Sequence, residues 1–143
     1  ADFSGIEFEL DYALGNVNGH DFSLGVMADY LEAELSSGAY VPRIPPMKYG
    51  LKLNHDYNNV STQLSWIRSD GINRIGAGEL ATDAFTMLNL EMMYRVDLGP
   101  EDLVIFFKGT NLLDEEARDH TSFLKDLAPR VGRSLVLGAR YSF

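Results

Sequence analysis

The residues best equipped for chemistry are the three histidines and the carboxylates around them. His120 ends the run Asp114-Glu-Glu-Ala-Arg-Asp-His120, so its imidazole follows Glu116 and Asp119 closely. Imidazole and carboxylate are both zinc ligands, which makes His120, Asp119 and Glu116 a candidate metal set with zinc as the ion. No second histidine stands three or four residues away, and a solvated acidic loop is the competing reading. His55 lies among Tyr49, Leu51, Leu53 and Tyr57 and reads as an interfacial residue. His20 falls in a turn and reads as solvated. Glu7, Glu9 and Asp11 alternate along one segment; Glu7 and Glu9 share one face and match a glycosidase pair in composition alone. There is no Ser/His/Asp set, no HExxH and no glycine-rich phosphate loop, and cysteine is absent. These absences exclude thiol catalysis and cysteine-ligated zinc and lead us to expect no enzymatic activity.

The elements that must position these residues have a period of two. Ile6, Phe8, Leu10, Tyr12 and Leu14 alternate with Glu7, Glu9 and Asp11, which sets a greasy face against an acidic one in a strand. The rhythm returns at Phe22–Tyr30, Tyr49–Tyr57, Val60–Trp66, Leu88–Val96 and Leu135–Phe143. A further strand near 102–112 is apolar on both faces, with Leu103, Ile105 and Phe107 as the expected outward set. About seven antiparallel strands result. Their connections at Asn16–His20, Asn58–Asn59 and Leu98–Glu101 are short and rich in turn residues, whereas those near 33–46, 69–83 and 113–131 are long. Short and long alternate strictly, so all short turns lie at one end of the sheet and all long loops at the other. Segments of about ten to twelve residues suffice for a tilted strand to cross an apolar band of about 25 Å.

Composition narrows the class. With 21 acidic against 12 basic residues and a net charge of −9, the chain lacks the cationic surface that nucleic acid demands. No run is long and apolar enough for a membrane helix, and the N-terminus does not read as a signal peptide, so we expect any such signal to have been removed or to lie upstream. Glu7, Glu9, Asp11, Asp29, Glu91, Arg95 and Arg140 share one face with Lys48, Lys52 and Lys108. Mixed charge of this kind suits the water-filled lumen of a transmembrane barrel, with a cation path as the sharper alternative. A soluble barrel or sandwich, turning the same apolar positions inward as a core, fits the alternation equally well.

The last third reads Gly109-Thr-Asn-Leu-Leu-Asp114, then, after a long loop, Gly132-Arg-Ser-Leu-Val-Leu-Gly-Ala-Arg-Tyr-Ser-Phe143. This resembles the C-terminal end of TonB-dependent outer-membrane receptors, where an Asn-Leu-Leu-Asp element closes the penultimate strand and Gly-Arg opens a final strand ending in Phe. Val41-Pro-Arg-Ile-Pro-Pro46 and Ala28-Asp-Tyr-Leu31 look like the subgroup of zinc- and haem-type receptors. The resemblance implies that residues 1–143 are the last part of a barrel of roughly 22 strands with a plugged lumen, the plug and earlier strands lying elsewhere. It implies a bacterial outer-membrane location and uptake of a scarce metal or metal chelate such as zinc, haem or a siderophore complex. The implied partners are lipid, the remaining strands and plug, TonB through the missing N-terminal part, and the barrel-assembly machinery, for which Tyr141 and Phe143 would be the terminal signal. A barrel-folding or interaction fragment is the third reading.

Overall fold

A computed structural model describes residues 1–99 and 101–143, and every regular element in it is a strand: β1 (Asp2–Val17), β2 (His20–Glu34), β3 (Lys48–Tyr57), β4 (Val60–Ser69), β5 (Phe85–Asp97), β6 (Asp102–Thr110) and β7 (Ser134–Ser142). They form one antiparallel sheet in sequence order, an all-β meander whose two outer strands, β1 and β7, are not joined to each other. The architecture is therefore an open segment of barrel type.

Turn chemistry explains the order. Val17 pairs with His20 across Asn18 and Gly19, which take φ of 53° and 85°. Two successive positive φ values match the right-handed twist of the flanking strands, and Asn-Gly supplies them at least strain. Tyr57 pairs with Val60 around Asn58, itself at φ 49°. In the expected Leu98–Glu101 turn Pro100 lies outside the described residues; Gly99 has φ 83° and its N–H donates to Asp97 Oδ1 (3.0 Å).

Three expectations shift. The first turn is tighter than Asn16–His20, because pairing continues to Val17 and His20. β1 also carries a bulge between Ala13 and Gly15 (φ 102°), leaving Leu14 without a partner. One extra residue reverses the parity, so beyond it Gly15 and Val17, not Leu14, join the apolar row. Strand length exceeds expectation as well: β1 and β2 have 16 and 15 residues and run past the end of β3, since Asp29 is the last residue of β2 to pair with it.

The sheet has no hydrophobic core of its own. Among the described residues the buried apolar side chains are Ala33, Pro46, Phe85 and Ala117, all at the long-loop end. The buried polar side chains, including Asn111, His120 and Lys125, lie at that end too. Close packing is thus confined to a layer built by loops 35–47, 70–84 and 111–133.

Candidate functional site

Cross-strand register decides which residues share a face. Leu10 faces Val26, Val26 faces Leu51, Leu51 faces Trp66 and Trp66 faces Leu88. Farther along, Leu90 faces Gly109, Met92 faces Phe107 and Phe107 faces Leu137. Leu103, Ile105 and Phe107 share this side. The apolar rows are continuous over seven strands, and nothing covers them: Ile6 is 72% exposed and Leu137 75%.

The opposite face is a polar network. Asp11 reaches past Gly25 to Lys52 (3.5 Å), and a Cβ on that glycine would sit 2.9 Å from both side chains, so a larger residue there would push the pair aside. Glu91 pairs with Lys108 (2.6 Å). Gln63 Nε2 donates to Asn54 Oδ1 (2.8 Å), Asn54 Nδ2 to Ser23 Oγ (3.0 Å), and Asn89 Nδ2 to Ser65 Oγ (3.3 Å). Glu7 stands directly opposite Asp29, which faces Lys48 on its other side. Arg95 and Arg140 flank Val104 in one row, and Glu9 faces Met27. A hollow of about 270 Å³ opens on this charged side, bordered by Glu9, Asp11, Gly25, Lys52, Gln63 and Ser65. The apolar inner positions of β6 have a local cause: the Phe106 ring lies over Gly138, which has no side chain to displace it.

The structure does not assemble the proposed zinc set. Asp119 is clamped by Arg130, which donates from Nε (2.8 Å) and Nη2 (2.6 Å). That fork holds the Asp119 carboxyl below its usual range; burial opposes the shift, and the charges of Arg130 and Lys48 add to it. Glu116 is taken by Arg118 (2.8 Å). Among the described residues no three His, Asp or Glu converge as metal ligands. Adjacency in sequence misleads here, since in an irregular loop consecutive side chains diverge.

His120 is instead 2% exposed, wedged between two loops. Its Nδ1 shares a hydrogen bond with Thr82 Oγ1 (2.9 Å), and Nε2 lies 3.8 Å from Glu79 Oε2. Glu79 ties the layer together, accepting from the N–H groups of Arg43 (2.8 Å) and Gly76 (3.1 Å). Lys125 Nζ donates to the Leu80 carbonyl and the Arg43 guanidinium lies 3.3 Å over the Phe123 ring. Burial pushes the His120 imidazole below its ordinary value; Glu79 and Asp126 oppose that shift and Lys125 adds to it.

The two separated motifs of the last third meet. Asn111 takes φ 50°, and its side chain accepts from Glu115 N (3.1 Å) and donates to Glu115 O (2.9 Å). Asp114 (φ 58°) accepts from Arg133 N (2.8 Å), and its other oxygen is 3.6 Å from the Arg133 guanidinium. A Cβ on Gly132 would come within 3.1 Å of Asp114 Oδ1. The Asn-Leu-Leu-Asp and Gly-Arg elements are therefore the two halves of one clasp that shapes the last long loop.

His20 departs from the solvated-turn reading. It begins β2 on the apolar face, half-buried, with its ring stacked on Tyr57 at 3.8 Å and 4°. Its Nδ1 lies 2.8 Å from His55 Nε2. At the end of β7, Tyr141 donates to the Glu101 carboxylate and lies 6.0 Å from the Phe143 ring.

No family model matches the sequence. The fold does have solved counterparts. One is a copper transporter, OprC, which superposes with a TM-score of 0.71 over 94% of this chain at 18% identity. The seven-strand sheet thus has the fold of part of that transporter. The chain spans 23% of the transporter's length.

Proposed function

We propose that the chain is a wall segment of an outer-membrane transport barrel, its apolar face against lipid and its charged face toward an aqueous lumen. The observation that carries this reading is the uncovered apolar surface, continuous in register across all seven strands, set against a polar network that contains the hollow. Lipid-facing strands alternate apolar-out and polar-in, and their backbone polar groups are satisfied by neighbouring strands. A soluble barrel would place the apolar rows inside, yet here the hollow lies on the charged side. The cargo we infer is a scarce metal or a metal chelate. The motif resemblance favours zinc, haem or a siderophore complex, and the name of the structural neighbour adds copper. Energising through TonB and assembly by the barrel machinery belong to the same proposal, as does the absence of catalysis.

Trp66 is the sole tryptophan and sits on the apolar face between Leu51 and Leu88. With the chain folded into vesicles, lipids brominated along the acyl chain should quench its fluorescence, most strongly when the bromines lie near the bilayer centre. Fluorescence indifferent to bromination would overturn the membrane reading.

A further inference from the structure

We propose that His20 and His55 form a two-imidazole site for a late divalent transition metal, copper(II) foremost, at the short-turn end of the apolar face. In the β2–β3 register His20 faces Tyr57 and Phe22 faces His55, so the imidazoles are diagonal neighbours, close enough for aromatic side chains to meet. Their nitrogens are 2.8 Å apart, the ring centroids 5.1 Å apart, and the planes differ by 11°. These values describe two rings lying edge to edge, with one N–H directed at the lone pair of the other ring. Metal–nitrogen bonds of about 2.0 Å at a right angle span an edge of about 2.8 Å, and tetrahedral bonds span about 3.3 Å. The nitrogens already have a suitable separation; each ring must turn through χ1 and χ2 until both lone pairs meet at one point off the line that joins them. The donor ring shifts its proton to its other nitrogen, so two neutral imidazoles bind the ion without net proton loss.

The surroundings hold the pair in place. Tyr57 stacks on His20, and Phe22 stacks on His55 at 4.6 Å and 17°. These faces keep the two rings side by side at the rim. His20 opens β2 and Tyr57 closes β3, so the pair lies at the rim beside the turns. Water can complete the coordination there. Imidazole suits copper, zinc and nickel, and copper(II) heads the affinity order. This inference concerns one strand pair and does not depend on the membrane reading.

The test is titration of copper(II) chloride into the chain in detergent micelles, followed by electron paramagnetic resonance. The expected result is one ion per chain with hyperfine splitting from two nitrogens. His20→Gln and His55→Gln should each remove one nitrogen and weaken binding about a hundredfold, since the second imidazole acts at high effective concentration. Unchanged affinity in either variant, or a signal from oxygen ligands alone, would overturn the site. Should a variant fail to fold, diethyl pyrocarbonate labelling of the wild-type chain decides. Copper must protect His20 and His55 together, and equal labelling with and without the metal refutes the proposal.

Discussion

At the scale of single residues, Leu90 and Glu91 are the sharpest comparison, since they are chain neighbours on opposite faces. Leu90→Arg should cost about 2–4 kcal/mol at the membrane midplane. Glu91→Arg should cost far less, losing one half-exposed pair with Lys108 that contributes at most about 1 kcal/mol. Reversible unfolding of the two variants in vesicles measures the difference. His120 allows a prediction with a definite sign. Burial depresses its affinity for protons in the docked loops, so the docked layer favours the neutral ring. That stabilisation is present in full above the ordinary histidine value of about 6.5 and diminishes as pH falls below it. The protection factors of the amides of Ile72, Thr82 and Arg130, whose N–H groups bond within the layer, should fall from pH 7.5 to 5.5 once exchange is divided by its intrinsic rate at each pH. That loss of protection should vanish in His120→Gln.

At the scale of elements, the last long loop is held by its clasp rather than by apolar packing. Leu127 and Val131 in this loop are 83% and 78% exposed, while Asn111 is 1% exposed. Removing the Asn111 side chain strands half-buried backbone groups of Glu115 and leaves the Val131 carbonyl without its 3.4 Å donor. Asn111→Ala should therefore cost about 1–3 kcal/mol locally. Limited proteolysis should show faster cleavage within 113–131 and unchanged protection of β3 and β4. A loop that stayed equally resistant would mean that the Arg130–Asp119 fork carries it alone.

For the whole molecule, the decisive features are the two free edges and the bare apolar face. β1 and β7 each bond to a neighbour on one side, and unpaired N–H and C=O groups template association. The chain should self-associate in water and disperse in detergent, as light scattering across the critical micelle concentration would report. A monodisperse monomer in detergent-free buffer would contradict both the edge argument and the exposed-face argument.

The strands, their antiparallel order and the two faces could be read from the sequence, because a period of two reports side-chain alternation residue by residue. Short turns announced themselves through Asn18, Gly19 and Asn58, whose types answer to local dihedral demands. The parity change at Leu14 was hidden, since a bulge is set by pairing across the sheet. The loop layer was equally hidden. His120 finds Glu79 and Thr82 some forty residues away, and Asp119 finds Arg130, because irregular backbone turns adjacent side chains apart and brings distant ones together. The His20–His55 contact depends on a cross-strand register that joins positions 35 residues apart. Periodic local structure is written in the amino-acid order, whereas partners chosen by the closing of loops and the sliding of strands are decided only when the chain folds.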